Sequence, residues 1–252
     1  MGKAFKKTSQ FYDLIYKDKP YKKEIDQLRK FIDSDFDNIK ILEIGCGTGN
    51  HTKYLKEQFP NSQITSFDRS DEMISYAKEK FSKDEINFVN SDISSYKDNN
   101  KYDLIICLFH VVSYLTEENE LIDFFSLIKT HAANQALVIF DFWYGPAVLN
   151  QLPQIKNDNF KDKNFIIEKK TYPSIDLTNN NVEIDYSYKV TTRTDSSIFS
   201  FTEIHKVRYF FEKEIDYYVK KFDFNIIKKL DLISDNKLSL ETWGATYVIR
   251  KK

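Results

Sequence analysis

Cysteine, proline, glycine and histidine are all scarce in this 252-residue chain, and long apolar runs are missing. Two cysteines, Cys46 and Cys107, make no disulfide framework, and both lie in apolar strand-end contexts. A reduced, cytoplasmic protein is the expectation. No stretch approaches the length of a membrane span, and the charged N-terminus has no apolar core like that of a targeting peptide. No basic block stands out and the formal net charge is −1, which argues against nucleic acid as a partner. What is plentiful is charge (30%) and aromatic surface (15%), the composition of a soluble globular protein long enough for a substantial core.

Three of the six glycines fall in one stretch, Ile39-Lys40-Ile41-Leu42-Glu43-Ile44-Gly45-Cys46-Gly47-Thr48-Gly49-Asn50. Its apolar half reads as a buried strand, and a helical pattern (Tyr54, Leu55, Gln58, Phe59) follows the glycines. Gly45 and Gly47 have no Cβ to hold a ligand off the backbone, and they permit positive φ. A doubly wound sheet puts its ligand beyond the carboxyl end of such a strand. Asn50 stands where a dinucleotide fingerprint wants glycine or alanine, and the Gly-Lys-Ser/Thr of a P-loop is absent. The competing reading is a tight strand-to-helix turn with no ligand.

From Pro20, apolar residues at Tyr21, Ile25, Leu28 and Ile32 recur at helical spacing. Ahead of them, Tyr12 and Tyr16 read as anchors of an N-terminal arm. For Tyr12 and Tyr21 a lid over a ligand is equally open, and for Tyr16 the anchor is preferred. A second strand, Gln63–Asp68, ends on an acid one strand–helix–strand unit beyond Glu43. An acid there can accept both hydroxyls of a ribose. The alternative, a helix cap, is already filled by Ser70, which opens a helix carrying Met73. A third strand, 86–90, leads to Asp92-Ile93, where the acid is a ligand acceptor or a turn residue. The apolar run 102–109 suits a central parallel strand; Thr116 is expected to cap the next helix, and 136–141 forms a fifth strand. Five alternating strands and helices predict an α/β, doubly wound, mostly parallel Rossmann-like sheet whose switch point is the glycine loop.

The alternation breaks at Trp143-Tyr144-Gly145-Pro146, and residues 151–163 read as a polar loop. Residues 164–172, 181–194 and 197–210 alternate as antiparallel strands do. A helix over 212–221 and strands over 224–232 and 242–250 complete the pattern. The insertion is expected to lie as a small sheet over the ligand mouth.

The string Glu43-x-Gly45-x-Gly47-x-Gly49, with Asp68, Asp92 and the strand ending at Leu108, resembles the class I S-adenosylmethionine (SAM) methyltransferases. Over about residues 10–145 the resemblance implies SAM as cofactor. The loop, with Cys46, would approach its amino-acid end, and Glu43 would orient the loop and the ammonium group. Asp68 and Arg69 would lie at the ribose and Met73 nearby. Asp92 would accept from the adenine amino group, with Ile93 packing on the ring. The chain looks most like the N-methyltransferases of dTDP-linked amino sugars, on Tyr12-Asp13-Leu14, on 107–115, on Trp143 and on Glu203-Ile204-His205. Some members of that branch have a histidine where Tyr114 stands.

That resemblance divides the chain into an arm and lid helix (1–38), a SAM-binding core (39–145), a β-rich substrate-side insertion (146–211) and a closing helix and strands (212–252). Methyl transfer is an in-line displacement at a sulfonium, so positioning supplies much of the rate, and a neutral amine needs no strong base. Tyr114 and His110 are the candidates to orient or deprotonate an acceptor, with core packing as the alternative for each. No carboxylate cluster near the loop suggests a metal. A dTDP-sugar needs an aromatic surface, for which Trp143 and Tyr144 are candidates, and a cation, for which Lys169, Lys170, Arg193 and Arg208 are. His205 completes the substrate-side set. The expected activity is transfer of a methyl group to a small molecule, preferably the amine of such a sugar. O-methylation of another metabolite and a non-catalytic SAM-binding module are the rivals.

Overall fold

The computed structural model describes residues 5–32 and 38–252. The run of Ile and Leu at the centre of the sequence becomes a strand buried on both faces, as a parallel sheet covered by helices requires. In chain order the first half gives α1 (Tyr12–Ile15), α2 (Tyr21–Leu28), β1 (Lys40–Ile44), α3 (Asn50–Gln58), β2 (Gln63–Asp68) and α4 (Asp71–Lys80). It continues with β3 (Ile86–Asn90), β4 (Tyr102–Cys107), α5 (Glu118–His131) and β5 (Ala132–Tyr144). The second half adds α6 (Gly145–Gln151), β6 (Lys156–Lys161), β7 (Phe165–Asp176), β8 (Asn181–Thr192), β9 (Ile198–Phe210), α7 (Glu212–Lys221), β10 (Phe224–Asp231) and β11 (Gly244–Lys251).

Strands run in the order β3-β2-β1-β4-β5, all parallel, so the order reverses between β1 and β4 as the glycine loop leaves β1. β11 pairs antiparallel with β5, and β10 with β11. One face is packed by α5 and α7 through Phe124, Phe125, Phe140, Tyr218 and Tyr247, and the other by α2 and α3 through Ile25, Leu28, Leu55, Ile41 and Ile139. Both faces of the sheet are therefore dry, the expected doubly wound arrangement.

The insertion is joined to this sheet rather than hung from it. β5 runs on to pair with β9 at Trp143↔Tyr209 and Tyr144↔Phe210, and β8, β7 and β6 follow antiparallel. Two expectations change. Residues 151–163 are not a simple loop: β6 pairs with β7 from Lys156↔Thr171 to Lys161↔Ile166, an edge strand whose polar residues face solvent. The cap of α5 is Glu117 rather than Thr116, in a reciprocal capping box with Glu120.

The N-terminal arm is docked. Phe11 and Ile15 are buried against Ile167, Tyr188, Val190 and Phe201 on the inner face of the insertion. Ser70 caps α4, accepting from the Met73 amide, as its place after Asp68 predicts.

Candidate functional site

The glycine loop is shaped by backbone that other residues resist. Gly45, Gly47 and Gly49 all have positive φ (71°, 55° and 80°). An added Cβ on Gly45 would stand 2.5 Å from Val111 Cγ2, so the loop could not lie this close to the turn after β4. At Gly47 it would meet only Tyr12, at 3.9 Å, and would point into the open cavity. Gly49 differs: its Cβ would collide with Phe81 at 2.7 Å, and it caps α3 in the left-handed region without lining the cavity. Its expected place in the cofactor site is corrected to a packing position behind the loop.

The cavity beyond this loop has a volume of about 450 Å³. One end is lined by Gly45, Cys46, Gly47, Asp68, Arg69, Met73, Asp92, Ile93 and Leu108, nearly the whole expected cofactor set. Asp68 spends one lone pair of each oxygen on backbone donors, Gly47 N and Ser70 N, both at 2.9 Å. A carboxylate has lone pairs left for a pair of hydroxyls. Burial pushes the Asp68 carboxyl up, against those two amide hydrogen bonds and the Arg69 charge. Asp92 serves a turn and the cavity at once: Oδ1 accepts from the Ser94 amide and hydroxyl, each at 3.2 Å, on an exposed side chain that lines the wall.

Glu43 is the second correction. It is 2% exposed, its carboxylate accepts from Thr52 and Ser66 hydroxyls, and burial raises its pKa. It braces β1 against α3 and β2 and does not face the cavity; the acid that orders the loop backbone is Asp68.

The arm closes the cofactor end. Tyr12, Tyr16 and Tyr21 all line the cavity, and Tyr16 also packs against the cluster that holds Phe11 and Ile15. Asp13 accepts from the Thr48 hydroxyl (2.5 Å), Asn50 Nδ2 (2.9 Å) and Lys80 Nζ (2.9 Å), clasping the arm to the glycine loop and to α4. Among the described residues, none is a hydrogen-bond partner of the buried Tyr21 hydroxyl. An orphaned buried hydroxyl is costly unless a ligand satisfies it, and SAM brings polar groups on every side.

The other end is the side expected for an acceptor. His110, Tyr114 and Trp143 line it, roofed by Ile184, Tyr186 and Val207 of the insertion. Phe109 and His110 are both left-handed (66° and 62°), held there by their amides donating to Asp141 at 3.2 and 2.7 Å. The Tyr114 hydroxyl lies 2.8 Å from His205 Nδ1, and burial raises its pKa well above the ordinary tyrosine value.

Three substrate-side expectations fail. Tyr144 points away from the cavity and donates to Glu212 at 2.9 Å, because successive strand residues face opposite sides. Arg193 is exposed in the β8–β9 turn. Arg208, one residue out of step with Val207, pairs with Glu214 at 2.5 Å on the far face. Of the named cations, Lys169 alone stands beside the lining, its Nζ 4.3 Å from the Tyr186 ring centroid and 5.7 Å from that of Tyr16. Burial depresses its pKa. The sequence assigns no role to Asp141, Asp13 or Glu203: the first is legible as an acid ending a strand, whereas Asp13 and Glu203 stand only within Tyr12-Asp13-Leu14 and Glu203-Ile204-His205, and their partners come from distant parts of the chain.

A family model described as "Methyltransferase domain" matches residues 41–133. A malonyl-[acyl-carrier protein] O-methyltransferase from Ilyobacter polytropus is 44% identical over 81 residues, 32% of this chain and 31% of that protein. The chain spans about a third of the length of the curated relatives it matches. An S-adenosylmethionine-dependent methyltransferase from Clostridium acetobutylicum superposes with a TM-score of 0.80 at 27% identity, covering 98% of both chains. A sugar N-methyltransferase from Streptoalloteichus superposes at 0.79 with 17% identity, covering 100% of this chain and 94% of that one. The cradle at Gly45–Gly47 and Asp68, the strand order and these matches converge: residues 41–133 match a methyltransferase domain, and the chain has the class I SAM-dependent methyltransferase fold, with SAM as its cofactor.

Proposed function

We propose that the protein transfers the methyl group of SAM to a small-molecule amine, preferably that of a nucleotide-linked (dTDP) amino sugar. The observation that supports this reading is the Tyr114 hydroxyl, which lines the end of the cavity beneath the β-insertion and lies 2.8 Å from His205 Nδ1. A neutral amine needs positioning and a place for one proton there, and no strong base. Bound SAM supplies an electrophilic methyl on a sulfonium. The protein's part is to hold the acceptor nitrogen in line, to keep water out beneath the β-insertion and the arm, and to take up the proton afterwards. The Streptoalloteichus neighbour, whose likeness shows the fold alone, is itself a sugar N-methyltransferase.

A second reading is O-methylation of a carboxyl group on a carrier-protein-linked acyl chain. It is favoured by the names of the curated relatives, 36–44% identical in the first three, all matched over less than half of this chain. The two separate in one assay. Production of S-adenosylhomocysteine is followed with a dTDP-3-amino sugar and with malonyl-acyl carrier protein, and the amine is the expected acceptor. Turnover of the malonyl thioester alone would reverse the assignment, and turnover of neither, with SAM bound and intact, would favour a SAM-binding module.

A further inference from the structure

We propose that Tyr114, His205 and Glu203 form a proton relay at the acceptor end, completed when the N-terminal arm docks on Glu203; this rests on the methyl transfer proposed above. Tyr114 lines the cavity, and its hydroxyl lies 2.8 Å from His205 Nδ1. His205 is 2% exposed, with the ring edges of Phe5 and Tyr186 at centroid distances of 4.5 and 4.9 Å. A histidine kept for packing would have both nitrogens satisfied. Here Nε2 is buried without a hydrogen bond, 3.5 Å from Glu203 Oε2.

Glu203 decides the tautomer. A carboxylate facing an imidazole nitrogen repels a lone pair and favours a proton there, so the neutral ring is Nε2–H. Nδ1 then carries the lone pair, and the Tyr114 hydroxyl donates to it. Glu203 is itself fixed from outside its strand: the Lys7 amide donates at 2.7 Å, the Thr8 amide at 3.0 Å, and the Thr8 hydroxyl also donates. All three donors belong to the arm. The relay is therefore complete only with the arm in place, when the cavity is also covered.

The proton balance is simple. The acceptor nitrogen forms a bond to the methyl carbon as the carbon–sulfur bond breaks, and that electron pair stays on sulfur. The methylated ammonium gives a proton to the Tyr114 oxygen while the Tyr114 hydroxyl proton passes to His205 Nδ1. The result is a neutral methylated amine and an imidazolium beside the Glu203 carboxylate, discharged to solvent when the arm opens. Tyr114 touches the acceptor, whereas His205 and Glu203 act through it as positioning residues. Burial keeps the Tyr114 phenol protonated at rest, as a hydroxyl relay needs.

The test reads the tautomer and the rate separately. In full-length protein saturated with S-adenosylhomocysteine, nitrogen-15 NMR of labelled histidine, assigned with His205→Asn, should show His205 as the Nε2–H tautomer, and Tyr114→Phe should move its Nδ1 resonance. With a dTDP-3-amino sugar, Glu203→Gln and Tyr114→Phe should each lower kcat about tenfold or more, with KM and SAM affinity within about twofold. An Nδ1–H tautomer in the wild type overturns the relay, as does an unchanged kcat in both variants. Should the wild type turn over no acceptor, the proposed function fails, yet the tautomer still decides the relay.

Discussion

Asp68 is the residue on which cofactor affinity should turn. Its side chain both ties the Gly47 amide and faces the cavity, so replacing it by alanine removes a hydroxyl acceptor and loosens the loop. Losing a buried carboxylate with two ligand donors costs about 2–3 kcal/mol. At about 1.4 kcal/mol per decade, Asp68→Ala should weaken SAM by one to two decades in calorimetric titration. Gly47→Val should abolish binding, since its side chain enters the cavity. Wild-type affinity in both variants would sink the cofactor assignment. At this scale the sequence tells what a residue can do but less well which way it points. Trp143 faces the cavity and Tyr144 the opposite side; Val207 faces it and Arg208 does not. The period of two was legible, but its phase depends on which face the insertion lays over the site. Glu43 shows a similar limit, because the Thr52 and Ser66 that absorb its charge come from α3 and β2.

The arm is the element that couples the two ends of the site. It carries Tyr12 into the cofactor end, and its amides at 7 and 8 reach Glu203. Burying Phe11 and Ile15 contributes roughly 1.5–3 kcal/mol each, so deleting the arm would bare the inner face of β7–β9 and destabilise the fold as well as the site. The informative change is to unclasp it. Burial works to raise the Asp13 carboxyl, but hydrogen bonds from Thr48, Lys80 and Asn50 prevail and lower it. Burial likewise opposes the neighbouring His205 ring and the Lys7 and Thr8 hydrogen bonds at Glu203, and again the result is a lowered value. A depressed carboxyl stabilises the docked state above the ordinary carboxylate range and loses that contribution as pH falls through its own value. Protection of residues 5–20 from an acid-active protease should therefore hold from neutrality down to about pH 4 and fade below it. In Asp13→Ala protection should already be weaker at pH 7, and SAM should restore part of it. A pH-independent digestion pattern would mean that apolar packing alone holds the arm. The helical period of 21–32 marked α2 in the sequence, whereas β6, a polar edge strand, had no apolar alternation to announce it.

For the whole molecule, the doubly wound half was legible because its strands are apolar runs that only a covered parallel sheet accommodates, and because the glycines fix the switch point. The acceptor was not, since specificity is assembled from β4, β5, β8 and β9, which lie far apart in the sequence. The assembled wall makes a prediction that no single segment carries. A dTDP-sugar has to bring its amine to Tyr114 and its pyrophosphate to a cation, and Lys169 is the one named candidate beside the lining, between Tyr16 and Tyr186. A lysine depressed by burial gains from an anion that restores its charge. Lys169→Ala should thus raise KM for a dTDP-amino sugar about tenfold, the loss of roughly one charge-assisted hydrogen bond. Arg193→Ala and Arg208→Ala should stay within about twofold, since neither faces the cavity. Added salt should weaken dTDP binding in the wild type and change it less in Lys169→Ala. An unchanged KM in Lys169→Ala, with the amine still methylated, would show that the nucleotide lies elsewhere, outside the mouth framed by Tyr16 and Tyr186.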